Sequence, residues 1–232
     1  TESKKSQEKT DFEANIDIRD VQINEGYLFY ENGLTDLFSS LEGLELGLKA
    51  KYNPEKILLD LDCRSESSNL FKEGDSILQD FGLGITSKLE VDRSSKVLHS
   101  EKTGLIINDA SFVVSGDIFL NKEKKVLDLD LVFGLENASL ENLLGLLPAS
   151  IIDKKALPQT KGDIELDGKV KGDYGKEIYP AIDAALKIKN GEIAYRGMAN
   201  KLDKVEADLT VLIDPSNVEK SFFNLDNCEI SS

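Results

Sequence analysis

Apolar and polar residues alternate at every second position along most of this chain. In the clearest stretch, apolar side chains occupy positions 127, 129, 131, 133 and 135, and Asp128 and Asp130 lie between them. A preceding run from Ala110 to Leu120, interrupted by Gly116, has the same period, and a charged segment at 121–125 separates the two. This pattern predicts a β-hairpin with one apolar and one acidic face.

The period changes directly after this hairpin. Leucines at 140, 143, 144 and 147 follow helical spacing, Ser139 or Asn137 is a suitable N-cap, and Pro148 ends the run. We therefore predict one short helix here.

Strand-like alternation recurs on both sides of this region. It predicts strands around 12–29, 44–48, 57–63, 83–91, 164–170, 182–188, 205–213 and 223–230. A slip at Arg19-Asp20 indicates a bulge, and Asn53-Pro54 and 93–96 indicate turns. The polar stretch 64–80 predicts a long loop, and the spacing of leucines within 32–40 predicts a short helix or an ordered loop.

These elements predict a mainly β fold. We expect an elongated antiparallel sheet with one alternating apolar face and one or two short helices. Too little helix is present to cover that face, so the sheet either curls into a groove or half-barrel or closes on a second sheet as a sandwich. Residues 1–10 contain no apolar side chain and predict a disordered linker. We expect residues 11–232 to form a single elongated, repeat-containing β domain, part of a longer protein.

One internal repeat is visible. Residues 21–30 (VQINEGYLFY) align without gaps on residues 186–195 (LKIKNGEIAY). In both copies the apolar phase changes at the glycine, Gly26 or Gly191. Such a change predicts a bulge or a tight hairpin, and Asn190-Gly191 is a strong turn signal.

The charge balance excludes one class of partner. Lys and Arg number 28 against 43 Asp and Glu, a net charge of -15. A surface this acidic repels phosphate backbones, so we expect no nucleic acid. The two cysteines, Cys63 and Cys228, are too few for a disulfide scaffold, and Cys63 has the phase of a core residue.

No enzyme signature is present. His99 is the sole histidine, no glycine-rich phosphate loop follows a strand, and the acidic pairs lie on the face opposite the leucines. That face is expected to be solvated and carboxylate-rich without any catalytic role. We predict no catalytic residue, no metal site and no cofactor.

The apolar face is the informative feature. A groove of Leu, Ile and Val without hydrogen-bonding groups suits a flexible acyl chain, with about 0.8 kcal/mol gained per buried methylene. The candidate lipid-facing residues are Leu127, Leu129, Leu131, Phe133, Ile164, Leu166, Leu186, Ile188, Leu209 and Val211.

Two stretches resemble the AsmA family of Gram-negative envelope proteins, which is similar to the TamB and chorein-type lipid carriers. They are the glycine-interrupted strand, leucine strand and SLENLLGLLP helix of 105–148, and the run KGDIELDGKVKGDYGKEIYPAIDAALKIKNGEIAY of 161–195. The resemblance covers about half the chain. Its positions are glycine, proline and aliphatic residues, so no catalytic residue is carried over. It implies a periplasmic location and tethering to the inner membrane through an anchor outside this chain.

Two functions follow as expectations. The first is a lipid-binding or lipid-conducting β-groove module that contributes to outer-membrane biogenesis by carrying phospholipids between the envelope membranes. The second is a structural or assembly module of the cell envelope that binds protein partners, not lipid.

Overall fold

One antiparallel sheet accounts for nearly all of the computed structural model, which describes residues 14–33, 36–121, 123–146, 159–194 and 202–231. Eleven strands lie in chain order, each paired with its neighbours in sequence. The strands are β1 (Ile16–Asn32), β2 (Leu37–Tyr52), β3 (Lys56–Lys72), β4 (Asp75–Asp92), β5 (Val97–Ile107), β6 (Ala110–Asn121), β7 (Val126–Asn137), β8 (Gln159–Tyr174), β9 (Ala181–Ala194), β10 (Leu202–Ile213) and β11 (Phe222–Ser231). The predicted mainly β, antiparallel fold is confirmed.

Register aligns the apolar positions of successive strands on one face, called the inner face below. Directly paired residues project to the same side of a sheet, so a row of pairs can be followed from edge to edge. One such row crosses all eleven strands: Val21, Leu48, Leu61, Ser87, Thr103, Val114, Phe133, Gly168, Ala184, Val211 and Phe223. The alternation read from the sequence therefore builds one continuous surface.

The opposite, outer face carries the charges. The acidic pairs predicted to be solvated are all exposed: Asp60 with Asp62, Asp128 with Asp130, and Glu165 with Asp167. Apolar residues on this face are exposed as well, with Val132 at 42% and Ile106 at 48%. By contrast, most inner-face residues of the central strands are buried or half-buried, and Leu120 near the end of β6 is an exception. This asymmetry indicates that the sheet bends toward its apolar side.

The sheet is open and curled, not closed into a barrel. Most contacts between elements run between neighbouring strands, and a short helix packs on β8 and a 3₁₀ turn (Val218–Lys220) on β10. Within the described residues no second sheet lies over the inner face, which favours the predicted groove over the sandwich.

The short helix α1 (Leu140–Gly145) follows β7. Of the two N-cap candidates, Ser139 is the one used, and its hydroxyl accepts a hydrogen bond from the backbone of Asn142 at 3.2 Å. Leu140 is buried, while Leu143 and Leu144 are half-buried. The predicted helix extends to Leu147 and Pro148, which lie outside the described residues.

The internal repeat corresponds to a repeated β-bulge. Glu25 and Asn190, which precede the two glycines, have left-handed φ angles of 53° and 52°. The backbone N–H of each donates to a glutamate on the neighbouring strand, Glu25 to Glu45 at 3.0 Å and Asn190 to Glu206 at 2.9 Å. Register shifts adjoin both sites. The sequence left a bulge and a tight hairpin as alternatives, and the structure has the bulge, since Asn190-Gly191 lies inside β9. Tyr195, the last residue of the repeat, lies outside the described residues.

Two segment predictions are wrong. The stretch 64–80, predicted as a loop, forms the end of β3 and the start of β4, joined at Glu73-Gly74. Small hydroxyl residues replace the expected apolar ones there, since Ser65 and Ser68 are buried. The stretch 32–40, predicted as a short helix or an ordered loop, is mostly strand in its described part: β1 continues to Asn32 and β2 starts at Leu37.

The remaining predictions concern the termini and the cysteines. The bulge at Arg19-Asp20 is confirmed by a register shift between Ile18 and Val21. Cys63 is buried, as its phase predicted, and both cysteines are free thiols. The linker at 1–10 lies outside the described residues.

Candidate functional site

All ten lipid-facing candidates lie on the inner face. They belong to four adjacent strands, β7 to β10, where Leu166 pairs with Leu186 and Leu186 with Leu209. Ile164 is 8% exposed, and the other nine are half-buried. Half-burial in a single-layered sheet means that these side chains contact one another along the surface and still present area to a ligand.

A glycine on β8 leaves room for the ring of one candidate, Phe133. Gly168 pairs with Phe133, and a Cβ atom at position 168 would overlap the Phe133 ring. The ring therefore lies over the glycine backbone, and the inner face stays smooth at this point.

Buried hydroxyl residues interrupt the apolar surface at several described positions, and those of β4 and β5 form a bonded cluster. Ser87 and Ser100 are buried and each shares a hydrogen bond with the hydroxyl of Thr103, at 2.6 and 2.8 Å. Because the hydroxyls bond to one another, they do not need a polar ligand. The sequence analysis did not identify these three residues, since isolated hydroxyl residues carry no periodic signal.

An open apolar recess lies at one end of the inner face. Its volume is about 470 Å³, and its walls include a leucine already among the candidates and six residues that were not. The lining residues are Leu129, Tyr174, Tyr179, Pro180, Ile182, Ile213 and Pro215. We call this the β8–β9 recess, because Tyr179 and Pro180 belong to the connection between those two strands. Its volume falls within the range of about 300–1,000 Å³ typical of small-molecule pockets.

A polar contact borders this recess. The ammonium of Lys72, at the end of β3, donates to the phenolic oxygen of Tyr179 at 2.5 Å and lies 4.3 Å from the centre of its ring. The hydrogen bond to Tyr179 raises the pKa of Lys72, and the charge of Glu73 acts in the same direction. The Tyr179 ring also packs edge-on against Tyr174 at 6.5 Å.

On the outer face, lysines form ion pairs with carboxylates of the adjacent strand. Lys171 bonds Asp130 at 2.7 Å, and Lys189 bonds Glu165 at 2.5 Å. The hydrogen bond to Asp130 raises the pKa of Lys171, and the bond from Lys189 lowers the pKa of Glu165. His99 is exposed and shares a 2.6 Å hydrogen bond with Asp117. These pairs span adjacent strands and explain the charged residues as partners within the sheet.

Sequence reasoning located the surface but not the recess. Tyr174, Tyr179 and Pro180 lie within the stretch DYGKEIYP, yet they do not alternate, so no period marks them as inner-face residues. The Lys72–Tyr179 contact could not be predicted either. The two residues are 107 positions apart in sequence, and β3 and β8 are not neighbours in the sheet.

Other kinds of site were sought in the described ranges. No group of three or more His, Cys, Asp or Glu side chains there could hold a metal ion. No helix in those ranges is long and apolar enough to cross a bilayer.

Comparison with protein-family models, with curated proteins and with solved structures found no match to this chain.

Proposed function

We propose that the inner face is a lipid-binding groove that holds the acyl chains of phospholipids. One observation carries this proposal: a largely apolar surface that extends across the sheet and is uncovered by any second layer of described residues. An apolar sheet face of this extent is stabilised when another element or a ligand covers it.

The chemistry of the surface favours a hydrocarbon chain over a polar small molecule. The lipid-facing residues of β7 to β10 are aliphatic or aromatic and offer no side-chain hydrogen bond. At about 0.8 kcal/mol per buried methylene, one acyl chain gains on the order of 10 kcal/mol. A polar ligand would lose its hydrogen bonds to water on this surface and gain none.

The distribution of charge is compatible with lipid binding. Although the net charge is -15, the acidic pairs of β3, β7 and β8 lie on the outer face, and Asp130 and Glu165 are paired with lysines of adjacent strands. An acyl chain on the inner face is separated from them by the thickness of the sheet.

The resemblance to the AsmA family supports the wider role within this proposal. A module of that kind acts in the periplasm, is tethered to the inner membrane by a segment outside this chain, and carries phospholipids toward the outer membrane. The groove requires no catalysis for this role, and the proposal includes no reaction and no cofactor.

A second candidate function is an assembly module that binds protein. The edge strand β1 favours it, since Tyr27, Leu28, Phe29 and Tyr30 are between 48% and 64% exposed. Consecutive residues of a strand face opposite sides, so both faces of this edge are apolar, as expected where another strand is added.

Organic extraction of the purified chain followed by mass spectrometry distinguishes the two functions. We expect phospholipid in about equimolar amount, either co-purified or acquired after incubation with vesicles of phosphatidylethanolamine and phosphatidylglycerol. A mock preparation lacking the chain measures carry-over. No lipid above that background, before or after incubation, would contradict the groove and leave the assembly module.

A further inference from the structure

We propose that Lys72 and Tyr179 bind the phosphate of a phospholipid whose acyl chain occupies the β8–β9 recess. This inference rests on the proposed function and adds to it a defined headgroup site and a chemical selectivity. It concerns one end of the inner face, where an open apolar recess and a lysine ammonium meet at the same tyrosine.

Geometry is the first support. Tyr179 lines the recess with its ring and holds the Lys72 ammonium at its hydroxyl. The ammonium lies 4.3 Å from the ring centre, so a charged donor and an apolar wall are separated by one side chain. An amphiphile with one anionic group next to its hydrocarbon chain matches this arrangement.

The available hydrogen bonds are the second support. A lysine ammonium has three donors, and the bond to Tyr179 uses one of them. The phenolic hydroxyl, which accepts from Lys72, also has its own hydrogen to donate. Two donors on Lys72 and one on Tyr179 can therefore reach the oxygens of one phosphate, and such charge-assisted bonds are among the stronger ones in proteins.

The shape of the recess is the third support. Leu129 on β7 pairs with Gly172, which brings no side chain into the space between β7 and the β8–β9 connection. Pro180 is the nearest part of that connection to the position a Gly172 Cβ would take, 3.7 Å away. Because the connection approaches β8 this closely at the glycine, no β8 side chain separates Leu129 from Pro180, and both residues line the recess.

The charge of the whole chain makes this contact decisive. At a net charge of -15, long-range electrostatics disfavours any anionic headgroup. Glu73 and Asp75 also flank Lys72 in sequence. Selectivity for a phosphate-bearing lipid must then come from direct bonds at short range, and Lys72 with Tyr179 supplies them.

The test compares two amphiphiles with the same acyl chain. Dodecanoyl lysophosphatidylcholine carries the phosphate and dodecanoyl monoglycerol lacks it; binding of each to the full chain is measured by calorimetry below micellar concentrations. We expect the phosphate-bearing amphiphile to bind about tenfold more tightly, and Lys72→Gln to remove that difference while leaving monoglycerol binding unchanged. Lys72→Arg should retain most of the preference, and Tyr179→Phe should reduce it.

Lys88→Gln is the matched control, because Lys88 is an exposed lysine on β4 whose loss changes the net charge equally. Equal binding of the two amphiphiles to the wild-type chain would overturn the headgroup site while leaving the groove intact. A preference that survives Lys72→Gln would do the same. Inorganic phosphate that binds as tightly as the phosphate-bearing amphiphile would overturn the role of the recess. If neither amphiphile binds, the lipid groove itself fails, and this site fails with it.

Discussion

Lys72, the last residue of β3, donates a hydrogen bond to Tyr179 in the β8–β9 connection, although β3 pairs with neither β8 nor β9. Five strand steps separate β3 from β8, which in a flat sheet is about 24 Å at about 4.8 Å per strand. Lys72 ends β3, and Tyr179 comes shortly after the end of β8. Because β3 and β8 run in opposite directions, a flat sheet would place these two residues at opposite ends of its strands. Their contact at 2.5 Å therefore reports strong twist and curl of the sheet toward its apolar face.

The first prediction tests this curl in solution. Cysteines replacing Lys72 and Tyr179, in a Cys63→Ser, Cys228→Ser background, should be joined within one chain by a short bismaleimide reagent. The curl brings the two positions within reach, and the product is detected as a mass increase in intact-protein spectrometry.

The control pair is Lys72→Cys with Lys96→Cys, because Lys96 lies in the turn beyond the far end of the neighbouring strand β4. It should react with two separate reagent molecules and form no bridge. Equal bridging of both pairs, or of neither, would contradict the curl.

A second prediction concerns Gly116, which interrupts the apolar run of β6. Its φ is 129°, a Cβ would overlap the carbonyl oxygen of Asp130, and the Cα of Leu131 lies 3.0 Å from the same point. Gly116→Ala should lower the free energy of unfolding by about 3 kcal/mol or more through backbone strain and overlap.

Gly47 provides the comparison in urea denaturation. It lies in β2, and the nearest atom to a Cβ there is the carbonyl oxygen of Asp62, at 3.9 Å. Gly47→Ala should be neutral or stabilising by up to about 1 kcal/mol, since alanine restricts the unfolded chain. If both substitutions had the same effect, strain at Gly116 would not be the cause.

The sequence predicted what depends on local period and not what depends on the curl. Alternation at 127–135 placed Leu129 and Leu131 on the inner face, and Ser139 was among the predicted caps of α1, because both signals are contained in a few neighbouring residues. Phase changes at Gly26 and Gly191 gave the bulge positions for the same reason. The bulge at Glu25 could be predicted from the sequence, but its hydrogen-bond acceptor could not. The Glu45 carboxylate that accepts the Glu25 N–H lies on another strand, and no pattern of neighbouring residues indicates it.

The end of β3 shows where this reasoning fails. Ser65 and Ser68 are buried in a strand that polar composition predicted as a loop, since small hydroxyl residues fit between strands without an apolar side chain. Ser65 meets its hydrogen-bonding need with the backbone oxygen of Glu42, at 2.7 Å. The Lys72–Tyr179 contact depends on the summed twist of five strand pairs, which no pattern of neighbouring residues encodes.

The third prediction is a pH dependence at the β4–β5 turn. The hydroxyl of Ser94 and the backbone N–H of Ser95 donate to Asp92 and lower its pKa to about 2. A carboxyl whose pKa is depressed in the folded state stabilises the fold above its unfolded pKa of about 3.9, and this contribution is lost as the pH falls through the folded value. Asp92→Asn should therefore lower the melting temperature slightly at pH 7 and leave it unchanged near pH 2.

Thermal unfolding of both proteins across this range measures the effect, and reversibility is checked by rescanning. Asp75→Asn is a suitable control, since it removes the same charge at the other end of β4, away from the turn that holds Asp92. A melting difference for Asp92→Asn that stays constant from pH 7 to pH 2 would contradict the role of the ionised carboxylate.

The last prediction separates a groove from a closed core. Leu131 is half-buried at the centre of β7, paired with Gly116 and Val170, and it faces the groove. In a closed core, Leu131→Asp would bury a carboxylate without a partner, a cost of several kcal/mol against a total stability of about 5–15 kcal/mol. In a groove that is open to water when empty, the aspartate stays hydrated and the chain should remain folded. Lipid capture should nevertheless fail, because a bound acyl chain would have to remove water from the charge.

Val132→Asp is the matched control, since Val132 is the next residue on the same strand, 42% exposed on the outer face. It adds the same charge at nearly the same height but away from the acyl chain, so both folding and lipid capture should survive. Circular dichroism reports folding, and extraction with mass spectrometry reports bound phospholipid. Global unfolding of Leu131→Asp with a folded Val132→Asp would show that the inner face is a closed core and would exclude the groove. Loss of lipid from Leu131→Asp alone, with both variants folded, is the result that the uncovered apolar face predicts.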